Sequence, residues 1–246
     1  MIGEKLISYF RYHPVVAAEE LCCKELASFQ KVALTLAFRN KFCYWLMCRG
    51  AGKTFLLALY SCLKSILYPK STVIVTAGVF RQAKRTFDEV ENHIIDESPI
   101  LKRLVKKVSH YADQHIVYWN NKSKIIAIPL GKSSSEGEGA AGFHGHLVID
   151  ELWRVPEETF DLILFPFLGT SKDPIKRMKL KKAGKVKKMT ELDNSLLCAS
   201  TAYYQFNHFY KRWQAHLKKI MEAEDKQIII PGKAFQGDSR LSLIHI

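Results

Sequence analysis

Apolar residues in this chain fall into two patterns: short unbroken runs, and longer stretches in which they recur on one side. The runs Phe42–Cys48, Thr72–Thr76, Leu147–Ile149 and Leu196–Ala199 have the length and the aromatic or β-branched content of buried strands. Gln227–Ile230 is a further run of this kind. Ile116–Trp119 and Ile125–Ile128, joined by Asn120-Asn121-Lys122, predict a hairpin. Helical patterning covers residues 1–41, with Val15, Ala18, Leu21, Cys22 and Leu26 on one face, and the apolar run after Thr54. It returns in residues 79–108 with a break at Pro99, in residues 156–168, and in an aromatic-rich segment after Ala202. Strands alternating with helices predict an α/β fold with a mainly parallel sheet and helices on both faces. Such sheets hold ligands at the C-terminal ends of their strands.

The junction after Cys48 carries the strongest chemical signal. There the strand breaks into Arg49-Gly50-Ala51-Gly52, then Lys53-Thr54, then helix. Strand, glycine loop, Gly-Lys-Thr and helix is the setting of a phosphate-binding loop, whose backbone N–H groups and helix N-terminus face phosphate oxygens. Gly50, Ala51 and Gly52 would form the cradle, Lys53 would reach the outer phosphates and Thr54 would hold Mg²⁺. Met47 stands where the motif usually has its first glycine. The plainer alternative is a surface turn with a solvated lysine.

Two other strand ends would share the sheet edge with this loop. Asp150 ends an apolar strand, where a carboxylate is costly unless it binds something, and Mg²⁺ is the obvious candidate beside such a loop. Glu151, next in the chain, could orient or deprotonate an attacking water. The alternative is that both acids cap a turn. Arg49 could neutralise charge on a transferred phosphoryl group, or pair with a nearby acid. Ser200 and Thr201 could sense the γ-phosphate through a hydroxyl, or simply cap the next helix. Phe29-Gln30 lies some twenty residues before Lys53, and the Gln30 amide could read an adenine edge or stay exposed on its helix. His144 and His146 lack a third ligand nearby and read as loop and strand histidines.

Composition narrows the partners. The chain has 246 residues, with 37 Lys plus Arg against 24 Asp plus Glu, a formal charge of +13. That favours a polyanion such as nucleic acid or an acidic membrane surface. Residues 172–188 concentrate nine Lys or Arg with Asp173 as their only acid, either a solvated loop or a nucleic-acid contact. No apolar stretch approaches transmembrane length. Gly131–Gly139 reads as a loop. Cys22, Cys23, Cys43, Cys48, Cys62 and Cys198 contain no CxxC and read as buried free thiols of a reducing compartment.

Taken together, these islands resemble the ATPase domain of the tailed-phage terminase large subunit, the DNA-packaging motor. The resemblance rests on Cys48-Arg49-Gly50-Ala51-Gly52-Lys53-Thr54, Phe29-Gln30, Leu147-Val148-Ile149-Asp150-Glu151 as a Walker B strand, and Ser200-Thr201-Ala202 as a coupling motif. It implies a RecA-like P-loop NTPase of the ASCE type that hydrolyses ATP with Mg²⁺ and drives double-stranded DNA into a procapsid. On this resemblance the nucleotide is held by Gln30, Arg49, Gly50, Ala51, Gly52, Lys53, Thr54 and Thr201, the metal by Thr54 and Asp150, and catalysis falls to Glu151, Arg49 and Lys53. It further implies a portal protein, a small terminase subunit and a homo-oligomeric ring as partners, no membrane, and a place in the host cytoplasm and transiently at the procapsid portal. Many relatives carry a trans-acting arginine before the Walker B strand, whereas residues 131–145 hold Lys132 and no arginine, which shifts weight onto Arg49.

The expected organisation is a helical region over 1–41, an ATPase domain over 42–235, and a truncated tail over 236–246. Residues 241–246 resemble translated adapter sequence, and the family's C-terminal nuclease domain is expected to be absent from this chain. The rival readings are a superfamily 2 helicase-like translocase and a nucleotide- or DNA-binding fragment without turnover.

Overall fold

The computed structural model describes residues 2–129, 145–161, 168, 178, 182, 194–201, 208–222 and 241–245. The sequence patterns at 131–139, Gln227–Ile230 and His144, and all of 172–188 but Met178 and Lys182, lie outside them.

Three helices, α1 (Ile2–Tyr12), α2 (Pro14–Cys22) and α3 (Ser28–Arg39), lead into strand β1 (Phe42–Leu46). Residues 1–41 are therefore not one helix. Pro14 occupies the first position of α2, where its missing N–H costs nothing, and Cys23 closes that helix with φ 55. Helix α4 (Lys53–Leu67) follows β1, then strand β2 (Thr72–Ala77) and helix α5 (Phe80–Asp88), which passes into a π-helical segment over Glu89–Ile95. Helix α6 (Pro99–Leu104) ends at strand β3 (Val105–His110). The helix expected to reach residue 108 thus stops at 104. Val105 and Val108 mimic helical spacing, but they lie on a strand with exposed Lys106 and Lys107, as suits a sheet margin.

The hairpin is present as β4 (His115–Trp119) and β5 (Lys124–Ala127). Strand β6 (His146–Asp150), a 3-10 turn over Leu152–Arg154, the single turn α7 (Glu157–Thr159), β7 (Leu196–Ser200), α8 (His208–Glu222) and β8 (Leu241–His245) complete the described elements. The expectation of tail over 236–246 named no strand there; residues 241–245 pair in parallel with β1.

The strands form one sheet in the order β3-β4-β5-β2-β6-β7-β1-β8. Pairings among β5, β2, β6, β7, β1 and β8 are parallel, and those of β3 with β4 and β4 with β5 antiparallel. Successive residues feed opposite cores. Cys43, Trp45, Val73, Val75, Val148, Leu197 and Ala199 face a large cluster with Phe10, Ala17, Leu34, Phe38, Leu56, Leu59 and Phe87 from the helices. Tyr44, Leu46, Ile74, Leu147, Ile149, Leu196 and Cys198 face the other side with Leu152, Phe160 and Phe209. Both faces are covered, so these strands read as continuous apolar runs. The fold is α/β with a mostly parallel sheet and helices on both faces, as the alternation of elements predicts. Four cysteines are buried, whereas Cys23 and Cys48 are exposed, contrary to expectation, because each sits in a turn outside the regular elements. Among the described residues no helix is long and apolar enough to cross a membrane.

Candidate nucleotide site

Register brings the chemistry to one line. Leu46 pairs with Ser200, Ala199 with Asp150, and Asp150 with Ala77, so β1, β7, β6 and β2 end together. Strand β7 lies between the strand that feeds the glycine loop and the strand that carries Asp150. The β1–β7 ladder runs one rung further, through Met47 N–H donating to Ser200 O at 3.1 Å. This explains the missing first glycine: Met47 is still in the ladder, with its side chain in the large core at 1% exposure. The loop proper begins at Cys48.

Gly52 sets the loop against the helix. Its φ of 76 belongs to the left-handed region, and a Cβ there would stand 2.8 Å from Gln30 Nε2. Lys53, buried to 8% exposure, crosses back over the loop and donates to Cys48 O at 3.0 Å and Met47 O at 3.4 Å. Thr54 Oγ1 donates to Asp150 Oδ2 at 3.3 Å. Gln30 donates through Nε2 to Ala51 O at 3.3 Å and accepts Ala27 N–H at 3.0 Å, so its amide ties α3 to the loop. Arg49 is exposed and forms no ion pair among the described residues.

Asp150 is 6% exposed, and its Oδ1 is buried without a hydrogen-bond partner among the described residues. Burial first, and the neighbouring Glu151 second, push its carboxyl up to about 6, against the lowering effects of Thr54 and Lys53. An orphaned carboxylate oxygen beside a threonine hydroxyl fits a hard divalent cation, which takes oxygen ligands. Glu151 adopts φ 52, which swings it out of the strand direction. Its Oε2 accepts the Trp153 indole N–H at 2.7 Å, the Thr201 hydroxyl at 3.0 Å and the Thr201 N–H at 3.4 Å.

The structure thus gathers Gln30, Ala51, Gly52, Lys53, Thr54, Asp150, Glu151 and Thr201 along one edge, with Arg49 and Gly50 exposed in the loop. Trp153 joins them without having been expected from the sequence. A tryptophan two residues after the acidic pair gives no local signal, because its place depends on the left-handed turn at Glu151. His146 is a buried strand residue whose Nδ1 lies 2.9 Å from Ser195 Oγ. Helix α5, which leaves the same edge after β2, exposes Arg81, Lys84 and Arg85, none of them ion-paired among the described residues.

No protein-family model matches the chain, and no curated protein matches it. Solved structures do. The large-terminase ATPase domain of Thermus phage P74-26, in a single-site variant, superposes with a TM-score of 0.63 over 95% of this chain and 86% of that one, at 16% identity. The fold is that of a phage large-terminase ATPase domain. The HK97 bacteriophage large terminase matches with a TM-score of 0.59 and 15% identity over 85% of this chain, which spans 41% of the HK97 chain. The large terminase of a thermophilic bacteriophage, in complex with ADP, matches with a TM-score of 0.51 and 12% identity, over 78% of this chain and 43% of that one. The terminase fold is RecA-like, and the loop, Asp150-Glu151 and Thr201 described above lie on the C-terminal edge of its parallel strands.

Proposed function

We propose that this chain is the ATPase unit of a terminase large subunit and hydrolyses ATP to drive double-stranded DNA into a procapsid. The observation that carries the reading is the meeting of Lys53, Thr54, Asp150 and Glu151, from two separated strand ends, at one sheet edge behind a glycine loop. In this reading the N–H groups of Gly50, Ala51 and Gly52 and the start of α4 bind the phosphates. The Lys53 ammonium exchanges its loop carbonyls for phosphate oxygens, and Arg49, exposed at the rim, neutralises the transferred phosphoryl group in cis. Gln30, already bonded to the loop, lies on the base side of the nucleotide.

Thr54 and Asp150 are the residues that would hold Mg²⁺, which supplies charge neutralisation of the phosphates when bound. Glu151 takes a proton from the attacking water as its oxygen bonds to the γ-phosphorus; the bond to the β–γ bridging oxygen breaks and ADP leaves. Thr201, bonded to Glu151, connects that event to β7.

The charge of +13 and the exposed Arg81, Lys84 and Arg85 on α5 support DNA as the polyanion. Family likeness extends the proposal to a homo-oligomeric ring at the portal, with the portal protein and small subunit as partners, in the host cytoplasm.

The test is Mg²⁺-dependent ATPase activity of the chain and its variants. Lys53→Ala should abolish nucleotide binding. Glu151→Ala should keep binding and lose turnover by about a hundredfold or more, the scale of general-base removal. A wild-type chain that binds ATP without turning it over would reduce the reading to a nucleotide-binding module.

A further inference from the structure

We propose that Trp153 is the positioning residue for Glu151, acting through its indole N–H rather than through packing alone. This rests on the reading of Glu151 as the water-activating carboxylate. Directly after β6 the backbone turns left-handed at Glu151, and the 3-10 turn that follows is closed by Arg154 N–H donating to Glu151 O at 2.9 Å. This turn carries the side chain two residues on back to the strand tip. Trp153 Nε1 reaches Glu151 Oε2 at 2.7 Å, the shortest of the three bonds that oxygen accepts.

The other two donors come from Thr201, at the end of β7, so the carboxylate is held from two different elements. Pinning one oxygen orients the other, Oε1, which is the atom able to take a proton from water. Donors to a carboxylate are charge-assisted and stronger than neutral pairs, so losing the indole N–H removes the shortest of its three bonds and leaves the carboxylate held from the Thr201 side alone.

The indole is itself held in place. A Cβ on Gly78 would stand 2.6 Å from Arg154 Cβ and 2.7 Å from Arg154 O, so the exit of β2 lies directly against the turn. The Arg154 guanidinium covers the Trp153 ring at 4.7 Å from its centroid. Groups fixed by packing and hydrogen bonds in this way set the geometry of the catalytic group they touch.

Trp153→Phe in the full chain keeps a ring and removes the donor. The expected result is a kcat lower by about tenfold or more, with the ATP KM and Kd within about twofold of wild type. Trp153→His, which retains a ring N–H, should recover part of the loss. In a Glu151→Ala background, Trp153→Phe should cost nothing further, because its effect passes through the carboxylate. A readout independent of turnover is the ¹⁵N–¹H resonance of the indole, assigned by its disappearance in Trp153→Phe. It should move in Glu151→Ala while those of Trp45 and Trp119 stay. An unmoved Trp153 resonance, or wild-type kcat in Trp153→Phe, overturns the proposal. So does a Trp153→Phe loss that persists undiminished in the Glu151→Ala background, which marks a general structural role. A wild-type chain without ATPase activity overturns the hydrolytic reading instead, and the resonance still decides whether the bond exists.

Discussion

Thr54 Oγ1 on the first turn of α4 donates to Asp150 Oδ2 at the tip of β6 over 3.3 Å, so the helix behind the glycine loop and a strand two places across the sheet meet in one hydrogen bond. Removing the hydroxyl leaves a buried carboxylate with one less donor and, on the proposed reading, would leave a bound Mg²⁺ with one less oxygen. Thr54→Ala should weaken Mg–ATP binding by about tenfold, the scale of one hydrogen bond to a charged group. Titration calorimetry with and without Mg²⁺ checks this, and the loss should appear only with the metal.

Burial of Asp150 carries an energetic cost. Its carboxyl is raised from 3.8 to about 6, chiefly by burial. The folded state therefore binds the proton more tightly than the unfolded state between those values, and stability falls as pH rises through that window. Above about pH 6 the cost is complete; below 3.8 it is gone. Asp150→Asn should raise the melting temperature at pH 8 by a few degrees, from at most about 3 kcal/mol. The gain should shrink steadily toward pH 4. Added Mg–ATP should stabilise the wild type and barely affect the variant.

Met47→Gly brings the loop nearer to the usual motif and should make the protein worse. The side chain lies in the large core at 1% exposure. Its loss leaves a cavity and a flexible backbone in a strand extension, a destabilisation of about 2–5 kcal/mol by chemical denaturation. ATP affinity should not improve.

Gly78→Ala places a methyl against the backbone of Arg154 rather than against a yielding side chain. The turn carrying Trp153 must shift. The expected outcome is a kcat lower by about tenfold with a modest loss of stability, about 1–3 kcal/mol. Steady-state kinetics and thermal unfolding on the same sample separate the two effects.

Arg81, Lys84 and Arg85 lie within two turns of α5 and are exposed together. Replacing all three with Gln should weaken duplex DNA binding and flatten the log Kd against log salt plot by up to about three, one unit for each phosphate no longer neutralised. ATPase activity without DNA should be unchanged. An unaltered slope would remove α5 from the DNA path.

The strands were legible because a sheet covered on both faces needs apolar residues at successive positions, as Val73, Ile74 and Val75 or Leu147, Val148 and Ile149 show. The loop was legible because its chemistry is local: Gly52, Lys53 and Thr54 are neighbours in the chain. What escaped depends on partners far away. Cys23 closes α2 in a left-handed conformation that a cysteine does not advertise. Val105 and Val108 imitate a helix until β4 is seen beside them. Leu241–His245 gains its meaning as a strand only from β1. The need for glycine at 78 comes from Arg154, and the use of Trp153 from a positive φ at Glu151.

The backbone bond from Met47 to Ser200 joins the floor of the glycine loop to the segment that presents Thr201. The two are joined through main-chain atoms, with no side chain between them. On the proposed reading, a shift where β7 exits the sheet would reach the phosphate-holding loop through this bond, and tightening of the loop would be returned to the carboxylate that Thr201 holds.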